Sequence, residues 1–230
     1  MSSIVGDIGD NASMTVLNRT FAAVLFDNDG TLIDSTPVVR RAWGTWAKEH
    51  GVDPDRWQDF HGVPAADIVA SLLPDGDQEA ALARIVELEE SDTEGIRTLP
   101  GAAQALSAVA GRGAVVTSAT RNLAVARLEA AELPVPEVLI SADDISAGKP
   151  DPEPYLLGAQ RMGVRPQDCL VVEDAPSGVT AGHAAGCAVL SVVTTTARED
   201  LSADHIVPDL SHVRFTLVDD GVVVSAAERD

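Results

Sequence analysis

Two aspartates separated by a single residue, Asp27 and Asp29 in the stretch FDNDGTLID, follow directly on the apolar run AAVLF. Carboxylates that close are not both ionised cheaply, so either a cation lies between them or one of them holds a proton. The plainer alternative is a turn, because Asp, Asn and Gly are common where a strand ends. Three further stretches repeat the form, with reactive residues directly after an apolar run. TSATRN supplies the hydroxyls of Thr117 and Ser118 ahead of a helix expected from about Arg121, an arrangement suited to holding an anion through hydroxyl and N–H donors. SAGKPDPEPY places Lys149 ahead of three prolines, and Lys48 is the only other lysine in the chain. A compact ammonium serves as a point charge on a phosphate or a carboxylate, where a guanidinium fork would crowd the site. VVEDAPSG adds Glu173 and Asp174. Hard oxygen ligands in that number suit Mg²⁺, which takes one or two protein carboxylates, several waters and a substrate phosphate oxygen.

The elements that must position these residues are short. Apolar runs at residues 22–26, 114–117, 138–140, 170–172 and 189–193 read as strands buried on both faces, and helical patterns at 102–110, 123–132 and 153–162 lie between them. Strand and helix alternate, so the expected fold class is α/β, a doubly wound parallel sheet with right-handed crossovers. The segment RFTLVDDGVVVSA reads as two further strands joined at Asp219-Asp220-Gly221. Residues 37–99 break the alternation, with apolar residues at helical spacing only, as in Ile68, Val69, Leu72 and Leu73 or Leu82, Ile85 and Val86. An all-helical insert is expected there, poised over the carboxyl ends of the strands, where open α/β sheets bind ligands. Gly178, Gly182 and Gly186, four apart on an expected helix, indicate close helix-to-sheet packing.

Composition narrows the function. A formal net charge of −20 opposes binding to nucleic acid or anionic lipid, and an anionic substrate entering that field needs a metal ion or a placed cation. No apolar run reaches membrane-spanning length, and residues 1–20 have neither the basic start nor the apolar core of a signal peptide, so a cytoplasmic protein with a flexible leader is expected, Met14 being a possible start. Cys169 and Cys187 are too few for a disulfide framework and read as small buried hydrophobes. The sequons at Asn11 and Asn18 carry no meaning in a chain that is not secreted.

Taken together, DxDGT, a hydroxyl residue after the second strand, a lysine and then ED resemble the haloacid-dehalogenase superfamily of phosphohydrolases, over residues 21–209. The segments TEGIRTLPGA, GKPDPEPYLLGAQ and VVEDAPSGVTAGHAAGC are similar to bacterial sugar and hexitol phosphatases and to yeast 2-deoxyglucose-6-phosphate and glycerol-phosphate phosphatases. The resemblance implies a catalytic core of residues 21–36 and 100–230 and a cap domain of residues 37–99. It implies Asp27 as nucleophile, giving an aspartyl-phosphate, and Asp29 as acid and base. It places Mg²⁺ on a carboxylate oxygen of Asp27, the backbone carbonyl of Asp29 and Asp174, with Glu173 behind them. Ser118, the N–H of Ala119 and Lys149 would hold the phosphate oxygens, and Asn28 would offer its backbone N–H. Thr31 and Gly30 would shape the turn.

Departures sort the related activities. Haloacid dehalogenases lack the second aspartate that Asp29 supplies. Phosphonatases use a lysine in the insert, where this chain has only Lys48 at an expected helix end. Sugar phosphomutases carry an arginine and a histidine where this chain has Ala65 or Ala66 and Val39. A phosphomonoesterase acting on small phosphorylated sugars or polyols is the expectation, as a monomer or at most a weak dimer, with specificity from the insert through Arg40, Arg41, Trp43, Gln58 or His61. A β-phosphoglucomutase-like isomerase and a non-catalytic phosphosugar-binding protein are the alternatives. Trp43 and Trp46, at helical spacing, read as core rather than sugar platform.

Overall fold

A computed structural model describes residues 16–53, 56 and 63–227. The expected leader ends earlier than residue 20. Val16 is fully buried, and Arg19–Phe21 form strand β1, paired antiparallel with β11 (Gly221–Ala226), which pairs in turn with β10 (Val213–Val218). Phe21 explains the difference: it is fully buried in the main core, so its burial holds the preceding backbone against the last strand. The expected two closing strands are β10 and β11, joined at Asp219-Asp220.

The main sheet is wholly parallel, in the order β6 (Val138–Ile140), β5 (Gly113–Val116), β2 (Ala23–Phe26), β7 (Cys169–Glu173), β8 (Ala188–Val192) and β9 (His205–Val207). Both faces are covered, which is why its strands read as unbroken apolar runs. Val24 and Phe26 of β2, with Leu170 and Val172 of β7, point into one core cluster. Ala23 and Leu25, with Cys169 and Val171, point into the other, so the period-two alternation is present although every residue is apolar. Helices α4 (Ala102–Ala108), α5 (Arg121–Ala130), α6 (Glu153–Arg161) and α7 (Pro176–Ala184) make the crossovers. On α7, Gly182 packs against Val171 and Val189, close helix-to-sheet packing of the expected kind, whereas Gly186 lies past the helix end. Strand β2 lies between β5 and β7, which places residue 27 at the point where strand order reverses and a crevice opens.

Residues 37–99 hold most of α1 (Thr36–His50), α2 (Ala65–Leu72) and α3 (Gln78–Ser91), with an apolar core of their own that includes Trp43, Trp46, Ile68, Leu72 and Ile85. Trp46 is fully buried and its indole donates to the Ala81 carbonyl at 2.8 Å. The insert is not helical throughout. β4 (Arg97–Thr98), at its exit, pairs antiparallel with β3 (Ile33–Asp34), at its entrance, so the two connections are tied together at their root. Two-residue strands leave no periodicity to read. Among the described residues, no helix is long and apolar enough to cross a membrane.

Candidate active site

Strand β2 ends at Phe26, and the next backbone N–H, that of Asp27, still bonds to the Val172 carbonyl of β7 at 2.9 Å. Asp27 is therefore fixed at the sheet's carboxyl edge, where the residue is 7% exposed. Lys149, 4% exposed, reaches it from the segment before α6. Its ammonium donates to Asp27 Oδ1 at 2.5 Å, to Glu173 Oε1 at 2.7 Å and to the Val116 carbonyl at 3.0 Å, which uses all three of its protons. Burial works against that charge, but Asp27 and Glu173 outweigh it and hold the lysine above its ordinary value.

Glu173 has no oxygen to spare. Oε1 accepts from Lys149 and from the Tyr155 hydroxyl at 2.7 Å, and Oε2 accepts the N–H groups of Asp174 and Ala175 at 3.0 and 3.2 Å. A Cβ at Gly178 would stand 1.7 Å from Oε1, so only glycine lets the first turn of α7 close over this carboxylate. Asp174 beside it accepts from Thr31 Oγ1 at 3.0 Å and from the Thr195 hydroxyl. Gly30, at φ +90°, is built around the same group: a Cβ there would lie 2.2 Å from Asp174 Oδ2. The resemblance gave Thr31 and Gly30 only the turn; they also seat Asp174.

Carboxylate oxygens of Asp27, Glu173 and Asp174 lie within 4.8 Å of one another, and all three residues are buried. Three carboxylates against the one ammonium of Lys149 leave two negative charges inside the protein. Burial, with Glu173 and Asp174 beside it, pushes Asp27 well above the carboxylate range, although Lys149 pulls the other way. Burial and Glu173 push Asp174 up to about 7 against the bonds from Thr195 and Thr31. Such a set is stable ionised only with a cation among the oxygens, and a divalent ion matches both the charge and the oxygen donors. Asp27 and Asp174 are the residues that would hold it, since Glu173 is already saturated. The Asp29 carboxyl is not in this group.

Asp29 is held elsewhere. Its Oδ1 accepts from Arg127 Nη1 at 2.9 Å and its Oδ2 from Asn28 Nδ2 at 3.2 Å. Arg127, 4% exposed on α5, also donates from Nη2 to Glu89 Oε1 of α3 at 3.2 Å. One guanidinium thus joins the core, the second aspartate and the insert. Burial raises the Glu89 carboxyl above its ordinary value, opposed by Arg127 and reinforced by Asp29.

Asp27, Asp29, Ser118, Ala119, Lys149 and Asp174 all line one cavity of about 450 Å³ between the sheet edge and the insert. Asn28 does not: it is fully buried, and its carbonyl accepts the N–H groups of Thr31, Leu32 and Ile33, so it builds the turn. Ala119 N–H donates to Thr117 Oγ1 at 3.1 Å. Arg40 and Trp43 line the cavity, Arg41 bonds to Asp92 on the surface at 2.7 Å, and Gln58 and His61 lie outside the described residues.

The reading of the residues passed over Arg127, Glu89, Tyr155 and Thr195. Two of them left a trace. Arg127 falls on the buried stripe of α5 with Leu123, Ala124 and Leu128, and Glu89 continues the buried stripe Ala81, Ile85 of α3. A charged residue at a core position of an amphipathic helix marks a buried partner.

A model of the family described as haloacid dehalogenase-like hydrolase matches residues 21–186. Hexitol phosphatase A of Escherichia coli (strain K12) is 46% identical over 175 residues, 73% of this chain and 81% of that one. Validoxylamine A 7'-phosphate phosphatase of Streptomyces hygroscopicus subsp. limoneus is 37% identical over 209 residues, 85% and 97% of the two chains. A crystal structure of a hydrolase from Pseudomonas syringae shares the fold, with a TM-score of 0.75 at 24% identity over 83% of this chain and 94% of that one. The buried carboxylate cluster, the lysine that clamps it and these matches converge, and the chain belongs to the haloacid dehalogenase-like hydrolase family.

Proposed function

We propose that this protein is a Mg²⁺-dependent phosphomonoesterase that hydrolyses small phosphorylated sugars or polyols through an aspartyl-phosphate on Asp27. The observation that carries the reading is the buried contact of 2.5 Å between Lys149 and the Asp27 carboxylate, one residue past β2 and beside Asp174. Burial, with Glu173 and Asp174 beside it, drives Asp27 toward its protonated form, and the Lys149 ammonium opposes that without overcoming it, so the anionic nucleophile calls for a cation as well.

Asp27 attacks phosphorus in line with the ester oxygen; the new bond is carboxylate O–P, and the P–O bond to the alcohol breaks. Asp29 delivers its proton to the departing alkoxide, then takes one from the water that hydrolyses the aspartyl-phosphate. Arg127 and Asn28 fix the orientation of Asp29. Ser118, Ala119 and Lys149 line the cavity where the non-bridging oxygens of the phosphoryl group would sit and need charge stabilisation, the Ala119 N–H turning to them from its bond with Thr117 Oγ1. Asp27, Asp174 and the main-chain carbonyl of Asp29 would hold Mg²⁺, which would supply further positive charge at those oxygens and keep Asp27 ionised. Residues 37–99 serve as the cap over this cavity.

The substrate class draws support from the names of the relatives, phosphatases of hexitol phosphates and of validoxylamine A 7'-phosphate. Val39, Ala65 and Ala66, at the positions where the phosphomutases carry their histidine and arginine, all line the cavity without supplying a charge, which favours hydrolysis over isomerisation. Exposed large apolar residues are scattered, at Val135, Leu156 and Leu217, which favours a monomer, and both cysteines are free and buried, in keeping with a cytoplasmic site.

Phosphate release from a panel of sugar and polyol phosphates with Mg²⁺ tests the reading; release no greater than that of the Asp27→Asn variant overturns it. Glucose 1-phosphate followed by NMR gives glucose and phosphate for a phosphatase, and glucose 6-phosphate for a mutase.

A further inference from the structure

Among the described residues, the insert presents one buried charge to the cavity. Positions 81, 85 and 89 of α3 share a face, and Ala81 and Ile85 are spent on the insert's apolar core, so an apolar residue would complete the stripe at 89. A glutamate stands there instead, 8% exposed and lining the cavity. A buried ion pair is often no more stable than an apolar pair of the same volume, so Glu89 and Arg127 contribute little as a structural device. Their placement in a cavity wall matters more. Through one guanidinium, Glu89 lies next to Asp29: Nη1 holds Asp29 at 2.9 Å and Nη2 holds Glu89 at 3.2 Å.

Two carboxyl groups share that single cation, and once Asp29 carries the proton that it delivers, Arg127 is balanced by Glu89 alone, so this part of the wall has no spare positive charge and offers mainly acceptors. Around Glu89 the insert offers Val39, Val63, Ile68, Leu82 and Val86, with the Trp43 side chain as a further hydrogen-bond partner of the Glu89 carboxylate. Such a wall offers no counter-charge to a carboxylate or a second phosphate on the leaving group, and it suits hydroxyl donors carried on a hydrocarbon frame. Glu89 lines the same cavity as Asp29 and shares its guanidinium, so an alcohol whose ester oxygen meets Asp29 would have Glu89 within the wall beside it.

We infer that Glu89, held in place by Arg127, accepts hydrogen bonds from hydroxyls of the leaving group and so selects uncharged polyol esters over phosphorylated acids. The inference rests on the phosphomonoesterase reading and names the residue that sets its substrate class. Arg40, exposed on the same cavity, is the one lining cation of the insert among the described residues and is the group that would serve a charged substrate instead.

The test compares kcat/KM for three esters, a hexitol phosphate, an aryl phosphate without hydroxyls and a phosphorylated hydroxy acid, in the wild type, Glu89→Gln and Glu89→Asp, with Mg²⁺ and with thermal melting to verify folding. Loss of a hydrogen bond to a charged acceptor corresponds to roughly ten- to hundredfold. Glu89→Gln is expected to lower the ratio of hexitol phosphate to aryl phosphate kcat/KM by at least about tenfold, chiefly through KM, and Glu89→Asp to recover part of it. A ratio that does not move in either folded variant overturns the inference, as does a wild type that prefers the phosphorylated acid. A wild type that hydrolyses none of the three esters refutes the phosphatase reading itself and takes the inference with it.

Discussion

Replacing Gly30 with alanine should separate backbone strain from damage to the metal site. At φ +90° an alanine costs about 1–3 kcal/mol in this left-handed region. In a chain of 230 residues that corresponds to a fall in Tm of very roughly 2–10 °C. The second effect is steric. The new Cβ would stand 2.2 Å from Asp174 Oδ2 and 2.8 Å from the Thr195 methyl, and contacts under 3.0 Å essentially do not occur, so Asp174 must retreat by about an ångström. If Asp174 holds the metal as proposed, displacing its carboxylate that far should lower metal affinity by about 10- to 100-fold and turnover by about 10²-fold. Gly111 is the control, because it also has positive φ, at +79°, yet a Cβ there meets nothing within 4 Å. Melting curves and Mg²⁺ titrations of phosphate release would be run on Gly30→Ala, Gly111→Ala and the wild type. Both variants should lose thermal stability, and only Gly30→Ala should need much more Mg²⁺ for half-maximal rate. If Gly30→Ala keeps the wild-type metal requirement, the close approach of Asp174 to the turn is not what forms the site.

Lys149→Arg should cost at least about 10²-fold in kcat, because the wide guanidinium has to fit a pocket in which one ammonium contacts Asp27 at 2.5 Å and Glu173 at 2.7 Å; a variant within threefold of wild type would refute the point-charge role. Stability should depend on pH in the absence of divalent metal. Asp174 has a folded pKa near 7, above the ordinary value of about 3.9, so the folded state binds the extra proton between those limits and stability falls as pH rises from about 4 to about 7. Asp27, also raised, adds to the fall in the same direction. Melting temperature in chelator should therefore drop across that window, and saturating Mg²⁺ should largely remove the drop; equal slopes with and without the ion would count against a metal among these carboxylates. Asp27→Asn should melt higher than wild type at neutral pH in chelator, since it deletes one of the crowded charges, while releasing no phosphate; a lower Tm would contradict the repulsion.

The chemistry was legible because it lies in contiguous stretches at strand ends. Asp27, Ser118, Lys149 and Asp174 each follow an apolar run or sit in a proline-fixed segment, and a parallel sheet brings such stretches to one edge whatever the details of packing. The strands themselves were legible for the same reason, since burial on both faces leaves four or five apolar residues in a row. Strands β3, β4 and β9, of two or three residues, carry no such pattern and exist only through their partners. β1 likewise depends on β11, more than 190 positions away in the chain.

Asn28 has an architectural part that the motif's letters do not spell out: it is fully buried, its carbonyl closes the turn and its side-chain amide donates to Asp29. What the tertiary structure alone decided is the pairing of residues on different helices. Arg127 on α5 and Glu89 on α3 are ordinary letters of amphipathic helices until the insert folds back over the sheet edge and their faces meet at Asp29. The sequence by itself determined which candidate groups gather at the sheet edge, since strand ends place them locally. Which residues of the insert join them depended on docking two separately packed cores, and no local periodicity encodes that contact.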